Sequence, residues 1–231
     1  MPGPTFTAHP KIDGETGNMY SYGYEAKGDA STDICFYAFD PKGNKIEECW
    51  IKAPYAGTFP LSYCPLSFLT FVAGMIHDCA ISKNWIIFIL LPLYVSLDRL
   101  KKGGKHFMWD SDLPMCLGLL PRHNPKSDDI RWYPYTPESF IGHIGNAFDV
   151  DEWNVNLDTP LENGDVFGAF FPTDKNEAPK PGTVTSRFVR FHIDTRKKSG
   201  TFVGEPEELI DVIGGMPRID DRYSSHPLII F

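Results

Sequence analysis

The chain lacks any apolar run long enough to span a bilayer as a helix. Its most apolar stretch, Trp85 to Leu97 (WIIFILLPLYVSL), falls short of the roughly 20 residues such a helix needs, and Pro92 interrupts it. A buried strand or two is the first reading of that run, and a patch resting on a membrane surface is the second. Basic charge is also scarce: 22 Lys and Arg stand against 30 Asp and Glu, for a net charge of −8. Phosphate binding needs a basic face, so nucleic acid is not expected as a partner. The five cysteines contain no Cys-x-x-Cys pair, which argues against a disulfide framework or a thiolate zinc site. Reduced thiols in a cytoplasmic protein fit that usage. The opening Met1-Pro2-Gly3-Pro4 has neither the basic region nor the apolar core of a secretory signal. No Gly-x-Ser-x-Gly elbow, Walker loop or Gly-x-Gly-x-x-Gly fingerprint occurs, so nucleophilic and nucleotide-dependent chemistry find no support.

What is present is turn-rich and aromatic. Gly and Pro number 20 each, with 17 Phe and 10 Tyr. This composition favours many short strands over long helices. Met19–Tyr24, Asp33–Phe39 and Lys45–Ile51 read as a meander, closed by the turn Asp40-Pro41-Lys42-Gly43-Asn44. Trp85–Leu91, Arg131–Tyr133, Phe140–Val150, Val166–Phe171 and Val184–Ile193 continue the pattern. Glu205–Ile213 reads as a short helical turn, and Arg99–Lys105 and Lys175–Lys180 as solvated loops. Regular short strands suggest a sandwich, a barrel or a propeller, and periodicity does not choose among them. No blade-length repeat of the Trp-Asp or kelch type is visible.

Three of the seven histidines stand in distinctive settings. His9 lies in Thr7-Ala8-His9-Pro10-Lys11, His77 in Met75-Ile76-His77-Asp78, and His143 in Gly142-His143-Ile144-Gly145-Asn146. Each follows a turn and precedes an apolar run. They are 68 and 66 residues apart, too far for one helix or hairpin to join them. Taken singly, each reads as a hydrogen-bonded structural histidine. Taken together, they could be imidazole ligands from separate strands, with iron, copper, nickel and zinc all open. His106 and His123 sit in polar loops and read as exposed, and His192 reads as a strand-face residue. Asp78 reads equally as a turn carboxylate or as a group orienting backbone or water.

At these residues the chain resembles the carotenoid cleavage oxygenase family, and within it the stilbene-cleaving (lignostilbene dioxygenase) branch. Thr7-Ala8-His9-Pro10-Lys11, followed by Gly14-Glu15-Thr16-Gly17, is similar to the family's first iron-histidine segment. Met75-Ile76-His77-Asp78 is similar to the second, and Gly142-His143-Ile144-Gly145-Asn146-Ala147 to the third. Met216-Pro217-Arg218-Ile219-Asp220-Asp221-Arg222 looks like the family's Pro-Arg-Ile-Asp segment. The resemblance implies an all-β fold, a partial seven-bladed β-propeller with loop insertions, forming one incomplete domain over residues 1–231. It implies that His9, His77 and His143 are three of four axial Fe(II) ligands. It also implies O2 as co-substrate and an apolar alkene, a stilbene-type phenolic or a carotenoid or apocarotenoid, split into two carbonyl products. All-imidazole ligation would leave the metal dicationic with a position open for O2. In the family, glutamates orient such rings through the second nitrogen.

The chain also departs from the family pattern. It reads as about half a family member, without the N-terminal blades and the fourth histidine, and is therefore expected to be weakly active at best. His226, in Ser225-His226-Pro227, does not match that fourth position. Gly214-Gly215 occupies the place where family members often carry an acidic residue. Residues 57–73 (GTFPLSYCPLSFLTFVA) intervene where Pro54-Tyr55-Ala56 should run almost directly into Gly74. They read first as an unspliced intron or gene-model error, and second as a lid over an apolar tunnel. Two rival functions stay open: an inactive propeller fragment acting as a binding module, and a structural zinc site.

Overall fold

A computed structural model describes residues 5–54, 73–136, 138–170, 180, 182 and 184–227. Among them, strands build three antiparallel sheets that follow one another along the chain. The first sheet holds β1 (Lys11–Ile12), β2 (Met19–Gly23), β3 (Asp33–Phe39) and β4 (Lys45–Lys52), in that order. The second holds β5 (Ala73–Ile81), β6 (Trp85–Val95), β7 (Met108–Trp109), β8 (Met115–Pro121) and β9 (Arg131–Tyr135). Its path is β5-β6-β8-β9, with β7 also paired to β6. The third holds β10 (Ser139–Phe140), β11 (Asn146–Asp149), β12 (Asn154–Asn163), β13 (Ser186–Asp194) and β14 (Glu207–Ile210). Here the path is β10-β12-β13-β14, with β11 also paired to β12. Each sheet is built around a meander of blade type, as expected of a partial propeller.

Strand β6 explains the long apolar run. Side chains of a strand alternate between its faces. Ile86, Phe88 and Leu90 pack with Tyr20, Tyr22, Ile34 and Phe36 of the first sheet. Ile87, Ile89, Leu91 and Leu93 pack with Leu157, Val189 and Phe191 of the third. A strand buried on both faces reads as a continuous hydrophobic stretch. Pro92, which has no N–H to donate, falls where the partner of β6 changes from β8 (ending at Leu90) to β7 (from Leu93). Among the described residues no helix is long and apolar enough to cross a membrane.

Several local expectations are corrected. Val166–Phe170 is a short helix, α2, rather than a strand; the Asp165 carboxylate accepts the Gly168 N–H at 2.7 Å and favours the helical turn. The supposed helical turn at Glu205–Ile213 contains β14, because the free edge of β13 offers it a ladder. Part of the supposed loop Arg99–Lys105 lies in a helix, α1 (Leu97–Lys101), with Ser96 as its N-cap. The run Phe140–Val150 divides into β10 and β11 around the loop that carries His143. β8 went unread because MCLGLLP, buried almost throughout, has no alternation. The suspected insertion 57–73 lies outside the described residues, apart from Ala73 at the start of β5.

Candidate metal centre

Each of the three histidines is carried by a different kind of element. His9 lies in the segment leading to β1, and its backbone N–H donates to Thr7 Oγ1 at 3.0 Å. That segment is pinned to the first sheet: the Thr7 N–H donates to the Tyr22 carbonyl at 2.8 Å, and the Tyr37 hydroxyl to the Thr5 carbonyl at 2.6 Å. His77 lies inside β5, a strand the sequence reading did not pick out, ahead of the apolar strand β6 as expected. The β5–β6 register shifts between Ile76 and Cys79, so His77 sits on an irregularity of the kind that re-aims a side chain. Next to it, the fully buried Tyr22 hydroxyl donates to the Ile76 carbonyl at 3.1 Å. His143 lies in the loop between β10 and β11, clamped on both sides by buried Ile141 and Ile144. Thr159 Oγ1 donates to the His143 carbonyl at 3.1 Å.

The three rings converge. Their centroids lie 4.7 Å apart for His9 and His77, and 5.1 Å apart for the other two pairs, with the rings edge to face. One ring nitrogen from each lies within 4.8 Å of the others, and all three residues are half-buried. The Nε2 atoms of His9 and His77 stand 3.2 Å apart. Two imidazole nitrogens bound to one ion at about 2.1 Å would be roughly 3.0–3.4 Å apart for bond angles near 90–110°. The donor set and this spacing therefore fit a metal. Burial lowers the pKa of His9, with His143 and Lys11 adding to the effect and Asp78 opposing it. Burial likewise lowers that of His77, with His9 and His143 adding and Asp78 opposing. Both shifts favour the neutral ring whose lone pair can bind a cation.

His143 Nδ1 stands 2.9 Å from the Gly215 carbonyl oxygen. A carbonyl only accepts, so Nδ1 carries the proton and Nε2 keeps the lone pair. A main-chain carbonyl thus serves where the family pattern suggested a side-chain carboxylate. Glu162 of β12 fills the space beside it: a Cβ at Gly215 would lie 3.1 Å from Glu162 Oε1. Glu162 is 6% exposed, and its Oε2 has no hydrogen-bond partner among the described residues. Burial raises its pKa to about 7, against smaller opposing hydrogen bonds from the backbone N–H groups of Glu162 itself and Gly142. Sequence reading missed Glu162 because it missed β12; the alternation of Asn154, Asn156, Asp158 and Glu162 with Val155, Leu157 and Leu161 is the signal that could have found it.

The remaining histidines stay apart from the cluster. His123 is exposed. His192 lies on an exposed face of β13 between Asn156 and Glu207. His226 pairs with Glu15 at 3.2 Å. His106, expected in solvent, is only partly exposed: its Nε2 lies 2.8 Å from Glu25 Oε2 and its ring stacks edge-on with Phe107.

Stacked meanders with three imidazoles gathered from successive segments define a propeller fragment with a candidate metal centre. Residues 1–228 match the family model described as "Retinal pigment epithelial membrane protein", and the chain belongs to that family. It is 37% identical over 225 residues to carotenoid cleavage oxygenase 1 of Neurospora crassa, covering 97% of this chain and 39% of that protein. It is 35% identical over 226 residues to resveratrol cleavage oxygenase 1 of Aspergillus fumigatus, covering 98% and 41%. In structure it matches the lignostilbene dioxygenase of Pseudomonas brassicacearum with a TM-score of 0.80 and 35% identity, over 98% of this chain and 43% of that one. The chain thus spans about two fifths of the length of these relatives.

Proposed function

We propose that this chain supplies three imidazole ligands, His9, His77 and His143, to one Fe(II) ion of an oxygenase that cleaves an alkene with O2 into two carbonyl products. The observation that carries this reading is the meeting of three rings 68 and 66 residues apart in sequence, with ring nitrogens within 4.8 Å of one another. The names of the matched relatives, two cleavage oxygenases and a dioxygenase, support the reaction class. Stilbene-type phenolics are the favoured substrate class, with carotenoids and apocarotenoids second.

When bound, iron would supply the activation of O2 that the side chains cannot provide. The chain's own part is to hold three neutral rings at fixed separations. The Gly215 carbonyl keeps the proton of His143 on Nδ1, and the bulged stretch of β5 turns His77 toward its two partners. A structural zinc ion fits the donor set less well, since such sites are usually closed by four ligands.

Metal analysis and anaerobic iron titration test the proposal. One Fe(II) per chain, lost in the triple variant H9A/H77A/H143A, is expected, together with O2-dependent cleavage of a hydroxystilbene by the same chain set within its full-length propeller. Stoichiometric zinc that iron cannot displace would favour the structural reading. Iron bound equally well by the triple variant would overturn the ligand assignment.

A further inference from the structure

We propose that Asp78 is a positioning residue for the three-imidazole cluster, tying together the three segments that carry the rings. Its side chain is 3% exposed, so its carboxylate sits out of water. That single carboxylate is met by one donor from each segment. The ammonium of Lys11, two residues after His9, lies 2.8 Å from Oδ1. The backbone N–H of Cys79, two residues after His77, donates to Oδ1 at 2.7 Å. The backbone N–H of Ile144, directly after His143, donates to Oδ2 at 3.0 Å.

A buried carboxylate is tolerated only when its oxygens are satisfied, and charge-assisted hydrogen bonds are short and directional. Among the described residues, the donors to this carboxylate all come from within two residues of a candidate ligand. Between Lys11 and Ile144 the chain offers no covalent link shorter than the whole sequence separating them, so the carboxylate is the short path that sets their spacing. Asp78 is not itself among the gathered donors; the cluster consists of the three histidines. Its effect reaches a cation through the placement of the rings.

The inference rests on the metal reading above, and the test separates the two. Cobalt(II) is the probe, because its visible d–d bands report ligand geometry. The wild-type chain, D78N, H77A and the core truncation I87V are titrated with cobalt(II), and the melting of each is recorded without metal. Asparagine keeps the shape but offers one acceptor and no charge. D78N is expected to bind cobalt about 10–100-fold more weakly, the usual effect of removing a group that orients ligands, with shifted or broadened bands. I87V, which trims a fully buried side chain of β6 outside the histidine cluster and the Asp78 hydrogen bonds, is expected to lower the melting temperature and leave affinity and spectrum as in wild type. If D78N does not fold, D78S is substituted and held to the same expectation. Wild-type affinity in the Asp78 variant, or weaker binding with an unchanged spectrum, overturns the positioning role while leaving the metal site standing. Cobalt binding that H77A does not diminish overturns both.

Discussion

Replacing Glu162 by Gln should change how stability depends on pH. Burial raises the Glu162 pKa from 4.5 to about 7. Below pH 4.5 both the folded and the unfolded chain hold this proton. Between pH 4.5 and about 7 only the folded chain keeps it, so stability falls as pH rises. Above about 7 both have lost it and the full cost remains. At 1.36 kcal/mol per pH unit, that cost is about 3 kcal/mol. Gln occupies the same space and never ionises. Relative to wild type, E162Q should therefore gain about 3 kcal/mol between pH 4.5 and 8. His9 and His77, with lowered pKa values, act in the opposite sense over part of this window, because the unfolded chain binds their protons more readily. They are common to both proteins and cancel in the difference. Urea denaturation with chelator at pH 4.5, 6, 7 and 8 measures it; with a slope of about 3 kcal/mol/M the midpoint of E162Q should move up by roughly 1 M relative to wild type. A difference that stays constant with pH would refute the reasoning, as would a Glu162 carboxyl resonance titrating near 4.5.

Arg122, 3% exposed, pairs with Asp13 and lies 4.2 Å from the centre of the Tyr20 ring. R122M should destabilise by about 3–5 kcal/mol by leaving a buried carboxylate unpaired, and D13N/R122M should recover much of it in the same denaturation assay. At Gly118 an added Cβ would fall 2.3 Å from a ring carbon of the buried Trp132. G118A should therefore cost about 1–3 kcal/mol, read from the urea midpoint. For residues 57–73, we propose an origin in an unspliced intron. Transcript sequencing should yield messages lacking this segment, and its presence in every clone would leave the lid reading in its place.

Much of the site was legible in sequence because its parts are local. An imidazole after a turn and before an apolar run is visible in a linear string, and so are the four family-like segments around His9, His77, His143 and Pro217. Strand content was legible where one face is wet, as in β4, where exposed Glu48 and Lys52 alternate with buried Cys49 and Ile51. It was lost where both faces are buried, as in β8, and where a single hydrogen bond tips a short apolar run into a helix, as at Val166–Phe170. Asp78 stood in plain view beside a candidate ligand, but nothing in its neighbourhood foretold Lys11 and Ile144 as partners.

The chain's order of residues by itself determined which side chains could hold a cation and that the fold would be strands and turns, since both follow from residue type and short-range periodicity. Only the folded form decided that β6 is sandwiched between two sheets and that a glycine carbonyl orients His143. It also decided that one carboxylate joins three distant segments. Those outcomes depend on which surfaces meet across tens of residues, and contacts of that range leave no mark in the local pattern.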